Sequence, residues 1–131
     1  MWWSGLGVGD CREAIASIRG ELREETVSGR TFLIHESCRT RGCCRGQFVL
    51  LPPYDEYLIG YKSRDVVLDS RFIHKAHSNN GIFHPVVLSD GRVCGNWKRS
   101  SLELEFFDGC VYDQALLEPA VSRYKSFMKL G

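Results

Sequence analysis

The chain has 131 residues, of which 44% are hydrophobic and 25% are charged, as in an ordinary folded domain. Its 17 lysines and arginines nearly balance 16 aspartates and glutamates, which excludes a strong overall charge that would favour nucleic acid, membrane or acidic partners. No apolar run approaches the roughly 20 residues that span a bilayer. Six cysteines without a preceding signal peptide indicate free thiols, so we expect a cytoplasmic protein whose binding functions rest on local patches.

The first 36 residues predict a short helix followed by a β-hairpin. Asp10 can cap a helix that Gly20 would end. Two strand-like runs then meet at Ser28-Gly29, which is a two-residue hairpin signal. A short helix with a two-stranded hairpin is the tail of a winged-helix unit. We therefore expect residues 1–36 to form such a tail.

Residues 37–47 predict a basic linker. They contain Arg39, Arg41 and Arg45 but no acidic residue. Because glycines interrupt this cationic stretch, we expect a domain boundary here. Residues 48–131 then form a β-rich C-terminal domain that ends in a helix.

A proline bend opens the C-terminal domain. Residues 48–51 are an apolar run that reads as a buried strand, and Pro52-Pro53 cannot continue a central strand. The bend is followed by Asp55 and Glu56, which could act as a general acid and base. Neighbouring residues of an extended chain point to opposite sides, however. We therefore favour a structural role, in which one carboxylate caps a turn and the other pairs with an arginine.

The remaining sequence predicts a short helix, an antiparallel meander and a closing helix. The short helix covers residues 69–76. The strands cover residues 82–88, 92–99 and 102–107, and Asp90-Gly91 between the first two favours a type I′ turn. An apolar stripe at helical spacing over residues 116–128 should cover the sheet. The fold class is α+β: a partial winged helix, then a small antiparallel sheet or half-barrel under a C-terminal helix.

A cationic cluster lies on the second strand of the predicted meander. It contains Arg92, Lys98 and Arg99, with Trp97 among them and no acidic residue in between. A hairpin with these side chains suits contact with the phosphates of DNA, and the linker arginines would add to it. Three acidic residues follow at once, so an ordinary solvated surface is the alternative.

Metal and thiol chemistry have weaker support. His74 and His77 are three residues apart on a predicted helix, a spacing that can hold a metal, but no standard zinc pattern surrounds them. A cysteine nucleophile would need a positioned histidine, and the sequence places none beside a thiol. We expect no metal and no cofactor, and two surface histidines explain the same residues.

Three segments carry a recognisable pattern. They are residues 2–6 (WWSGL), 50–61 (LLPPYDEYLIGY) and 83–99 (FHPVVLSDGRVCGNWKR). In this order they resemble the C-terminal part of the winged-helix DNA-binding family that includes the AlkZ-like bacterial DNA glycosylases. The residues that carry the resemblance as structural motifs are Asp55, Glu56 and Tyr57 in the bend and Asp90 and Gly91 in the hairpin.

The resemblance implies an intact protein of tandem winged-helix units followed by a small barrel-like β region. AlkZ-like members excise alkylated bases and unhook interstrand crosslinks, with a glutamine-x-glutamine or glutamine-x-aspartate motif in the N-terminal part. The only glutamines here, Gln47 and Gln114, stand in neither motif, so no catalytic residue is assigned. We expect a truncated form that is inactive alone.

Two functions follow as hypotheses. The first is a non-catalytic scaffold that contacts the backbone of double-stranded DNA weakly and without sequence preference, in the context of a longer glycosylase-like protein. The alternative is an interaction module that binds no DNA and forms a homodimer through an incomplete N-terminal face. Neither involves a membrane.

Overall fold

The computed structural model describes residues 1–39 and 45–129. Helix α1 spans Val8–Ser17 and is followed by a 3₁₀ turn at Arg19–Glu21. The expected cap is wrong, because Gly7 is the N-cap and Asp10 lies three residues inside the helix. The Asp10 carboxylate accepts the Gly7 N–H at 3.2 Å, so it satisfies an otherwise free N–H from within the first turn.

The predicted N-terminal hairpin is confirmed. Strands β1 (Leu22–Val27) and β2 (Arg30–His35) pair antiparallel over their whole length. Ser28 and Gly29 have φ angles of 51° and 75°, which is the doubly left-handed geometry that a two-residue type I′ turn requires.

The second sheet has four strands in the order β3–β4–β5–β6. Their bounds are Phe48–Leu51, Val86–Ser89, Arg92–Trp97 and Leu104–Phe106. All neighbours are antiparallel, so the predicted meander is confirmed, and β3 adds a fourth strand beside β4. Strand β4 begins later than predicted because Pro85 has no N–H to donate and Phe83 bridges to His77 instead.

Short helices connect β3 to β4. Helix α2 spans Glu56–Ile59, and the predicted helix at 69–76 is a 3₁₀ turn, Ser70–Phe72, that runs into α3, Ile73–Ala76. Both are capped by an aspartate: the Asp55 carboxylate accepts the Tyr57 N–H at the start of α2, and the Asp69 carboxylate accepts the Arg71 N–H at the start of the 3₁₀ turn. These caps fix the direction of the connection across the sheet.

The four-stranded sheet is buried on both faces. One cluster contains Leu51, Leu58, Leu68, Ala76, Val86, Leu88, Val93 and Phe107. The other contains Phe48, Val87, Cys94, Trp97, Leu117 and Ala120. Val86 and Leu88 lie in the first cluster and Val87 in the second, as the two-residue period of a strand requires.

Helix α4, Gln114–Met128, covers the second cluster. Asp113 caps it by accepting the Ala115 N–H at 2.9 Å. The predicted apolar stripe is confirmed at Leu117 and Ala120, whereas Phe127 at its end is 82% exposed. The α+β fold class with a C-terminal helix is thus confirmed.

Candidate nucleic-acid interface

The proline bend is built around the cap of α2. Asp55 Oδ1 accepts the Tyr57 N–H at 2.9 Å, while Glu56 Oε2 accepts the indole N–H of Trp3 at 2.8 Å. The two carboxylates therefore face different partners, and the capping role expected for one of them is confirmed. The expected arginine partner of the other is wrong, because a tryptophan takes that place.

The two N-terminal tryptophans dock on α2 through their indole nitrogens. Trp2 Nε1 donates to the Ile59 carbonyl at 2.7 Å, beside the Trp3 bond to Glu56. Their side chains nevertheless stay 59% and 72% exposed. The sequence carries no sign of the partners of this pair, which lie more than 50 residues away.

The bend and the β4–β5 turn are joined directly. The Tyr57 hydroxyl donates to the Gly91 carbonyl at 2.6 Å, and Asp90 Oδ1 accepts the Gly46 N–H at 2.6 Å. Asp90 and Gly91 have φ angles of 49° and 78°, so the predicted type I′ turn is confirmed. The residues that form the two sequence motifs are therefore in contact.

The predicted cationic residues lie at both ends of β5. Arg92 starts the strand, and Arg45 precedes the Gly46 that binds the same turn. Lys98 and Arg99 follow the end of the strand. Six residues of extended chain span about 20 Å, so the sheet holds two separate cationic ends rather than one cluster.

The side chains at these ends differ in their local partners. Arg92 Nη1 donates to the Val66 carbonyl at 3.0 Å, which holds its guanidinium beside the turn. Lys98 Nζ lies 3.0 Å from Glu103 Oε2, and this hydrogen bond lowers the pKa of Glu103. Arg99 makes no hydrogen bond or ion pair with any residue that the structure describes. It lines a shallow depression of about 750 Å³ together with Lys98 and Tyr124.

Comparison with known proteins identifies the family of this chain. The family model described as DNA glycosylase AlkZ-like matches residues 1–122. The chain belongs to the AlkZ-like family. The DNA glycosylase AlkZ of Streptomyces sahachiroi is a similar solved structure, with a TM-score of 0.73 and 26% sequence identity. The match covers 93% of this AlkZ-like chain and 35% of that chain. No curated protein sequence gives a significant match.

Trp97 does not belong to the interface of this AlkZ-like chain. Its side chain is 3% exposed, its indole N–H donates to the Leu51 carbonyl at 2.8 Å, and its ring meets Tyr124 edge-on. The expectation that Trp97 contacts DNA is therefore wrong, because a buried ring has no face for a base. Trp97 stands next to Lys98 and Arg99 in the sequence, so its burial could not be recognised from its neighbours.

The linker arginines are only partly placed. Arg39 is exposed just beyond β2, and Arg45 is exposed next to the β4–β5 turn. Arg41 lies outside the described residues. Of the two that the structure describes, Arg45 lies near another predicted cationic residue, Arg92, and Arg39 does not.

Sequence reasoning missed an exposed ion pair near Arg92. Arg71 binds the Asp69 carboxylate with two nitrogens, and the shorter contact is 2.8 Å. The guanidinium hydrogen bond, helped by the Arg71 backbone N–H, lowers the pKa of Asp69 to about 2. The positive charge of Arg92 adds to this lowering of the pKa. The Asp69 carboxylate therefore partly offsets the positive charge near the β4–β5 turn.

The residues predicted for metal or thiol chemistry can be placed where the structure describes them. Among the described residues, no three histidines, cysteines or acids are grouped so that they could hold a metal ion. His77 lies beyond the end of α3 and stacks on Phe83, with ring centroids 5.1 Å apart. Burial raises the pKa of the Cys94 thiol to about 12, so it is a poor nucleophile at neutral pH.

Over the described residues, no helix is long and apolar enough to cross a membrane.

Proposed function

We propose that this chain is a C-terminal, non-catalytic section of an AlkZ-like DNA glycosylase that contacts the backbone of double-stranded DNA. The observation that carries the proposal is the β4–β5 hairpin, which presents cations at both ends of β5. Tyr57 joins this hairpin to the proline bend, and Asp90 joins it to Gly46 just before β3. Membership of the AlkZ-like DNA glycosylase family supports DNA as the ligand. Phosphate contacts by lysine and arginine are independent of sequence, so we expect weak, unspecific binding.

The proposed organisation has a tail of a winged-helix unit at residues 1–36, a basic linker at 37–47 and a β-rich domain from residue 48. Its support is the distribution of burial. Among the described residues before Phe48, no side chain is buried, while both core clusters consist of later residues. Cys11, Cys38, Cys94 and Cys110 are free thiols, which supports a reducing compartment such as the cytoplasm.

The proposal assigns base excision to other parts of the intact protein. Gln47 lies just before β3 and Gln114 opens α4, and neither is followed two residues later by a glutamine or an aspartate. The solved glycosylase is also much longer, because the match covers only 35% of that chain. Removal of alkylated bases and crosslink unhooking are therefore proposed for the intact protein and not for this chain.

The test measures affinity for a short DNA duplex at several salt concentrations. Two double variants separate the two ends of β5: Arg45→Ala with Arg92→Ala, and Lys98→Ala with Arg99→Ala. Each should flatten the slope of log affinity against log salt by up to about 1.8, or about 0.9 for each phosphate that the variant no longer neutralises.

A matched control is Arg12→Ala with Arg19→Ala, which removes two charges from the exposed N-terminal region. Its slope should equal that of the unchanged protein. If both β5 variants behave like this control, the hairpin does not contact phosphates and the proposal fails.

A second candidate is self-association through α1. This helix has no buried residue, and the exposed apolar side chains on or near it include Trp3, Leu6, Val8, Ile15 and Ile18. Such a surface favours docking to another chain. Sedimentation at increasing protein concentration, with and without duplex DNA, separates the two candidates. A dimer that forms with rising protein concentration and does not bind DNA supports the second.

A further inference from the structure

A second concave surface lies between the N-terminal hairpin and the segment that follows α2. This hairpin–loop cleft has a volume of about 460 Å³. Its lining includes Arg30, Phe32, Tyr57, Tyr61, Lys62 and Arg64. An ion pair of 2.8 Å between Arg30 Nη2 and Asp65 Oδ2 ties the hairpin to the opposite wall. The two walls therefore belong to different parts of the chain and are held together at one edge.

The cleft gathers three aromatic side chains with accessible surface. Tyr61 is 60% exposed and Tyr57 is 36% exposed, while Phe32 is half-buried. The Tyr57 hydroxyl is held by the Gly91 carbonyl, so its ring is fixed in position. Tyr61 has the most exposed ring of the three, and an exposed aromatic face is what a planar ring needs for stacking.

The charge of the cleft is positive. Arg30, Lys62 and Arg64 lie on its lining, and Asp65 at the edge offsets one of these charges. Arg64 is anchored by the carbonyls of Leu58 and Lys62, which fixes its guanidinium in place. The Lys62 ammonium makes no ion pair with any residue in the described ranges. An anionic group that enters the cleft would therefore meet at least one uncompensated cation.

The cleft is adjacent to the β4–β5 turn. Tyr57 binds Gly91 of that turn, and Arg92 donates to the carbonyl of Val66, which also lines the cleft. A DNA backbone that contacts Arg92 would pass the mouth of the cleft. Base faces are hidden in a duplex but open in a single strand, so stacking selects unpaired nucleotides.

We propose that the hairpin–loop cleft binds an unpaired nucleotide of single-stranded DNA, with the base on Tyr61 and the phosphate toward Lys62 and Arg30. This site goes beyond the duplex contact proposed above, but its choice of DNA as the ligand rests on that proposed function. Aromatic rings supply affinity for any base, and the cations supply attraction to the backbone, so binding should be tolerant of sequence.

The test uses the full chain and a fluorescent oligothymidylate of about twelve nucleotides, within the range that single-strand binding sites cover. Tyr61→Ala should weaken binding at least about five-fold, as expected when one base loses its stacking partner. Tyr61→Phe keeps the ring and should bind like the unchanged protein. Binding to a blunt duplex should change less than about two-fold in either variant.

The matched control is Tyr54→Ala, because Tyr54 is 55% exposed but lies against Phe83, outside the cleft lining. It should leave oligothymidylate binding unchanged. A loss smaller than about five-fold in Tyr61→Ala, an equal loss in Tyr54→Ala, or no oligothymidylate binding by the unchanged protein would overturn the proposal. Because the duplex contact is read from salt slopes of other variants, the two proposals fail separately.

Discussion

At the scale of single residues, the tryptophans divide by environment. Trp97 is 3% exposed and bonded to the Leu51 carbonyl, whereas Trp3 is 72% exposed and bonded to Glu56. Both make an indole hydrogen bond, so the difference in their contribution to stability comes from burial. A buried hydrogen bond costs more to remove than an exposed one because water cannot replace it.

The first prediction compares these two side chains. Trp97→Phe removes a buried hydrogen bond and leaves unfilled space, so it should lower the free energy of unfolding by about 2–3 kcal/mol. Trp3→Phe should lower it by about 1 kcal/mol or less, because the site is exposed. Urea unfolding followed by circular dichroism measures both. Equal effects would show that Trp97 is not part of the core.

The second prediction concerns the pH dependence of stability. Asp69 has a pKa of about 2 in the folded chain, below its usual value of 3.8, so it stabilises the fold above pH 3.8 and this contribution disappears as pH falls through 2. Asp69→Asn keeps a capping oxygen but loses the charge. Its melting temperature should lie below that of the unchanged protein at pH 5 and approach it toward pH 2. A constant difference across that range would contradict the assignment.

At the scale of elements, turn chemistry was the best guide from sequence. Ser28-Gly29 and Asp90-Gly91 each specify a two-residue turn with positive φ, and both hairpins form as predicted. The position of β3 beside β4 could not be predicted, because an apolar run indicates a buried strand but not the strand with which it pairs. The same holds for the Trp3–Glu56 bond, since long-range contacts depend on the complete fold.

The third prediction tests how closely two elements approach. A Cβ on Gly95 would lie 2.5 Å from the Glu105 carbonyl oxygen and 3.0 Å from Phe106 Cα, both backbone atoms of β6. Gly95→Ala should therefore force β5 and β6 apart and cost about 1–3 kcal/mol of stability. Gly20→Ala is the matched control, because nothing lies within 4 Å of its added Cβ. If urea unfolding shows the same small loss of stability for both variants, β5 and β6 do not approach each other this closely at Gly95.

At the scale of the whole molecule, burial is uneven along the chain. The described residues before Phe48 have no buried side chain, whereas the residues from Phe48 onward form two core clusters. The motif residues Tyr57 and Gly91 join the bend to the β4–β5 turn, while Asp55 caps α2 and Asp90 binds Gly46. The sequence shows the cationic residues of this hairpin, but it did not predict their separation at opposite ends of β5. That separation depends on where the strand starts and ends.

The central claim is that this chain binds duplex DNA without excising bases. The most direct test mixes the full chain with an alkylated duplex at a protein concentration that binds most of the DNA, and measures bound DNA and released base in the same sample. The account predicts bound duplex, with base release equal to that of a heat-inactivated control. Base release well above that control, or no binding of the duplex at low salt, would contradict it.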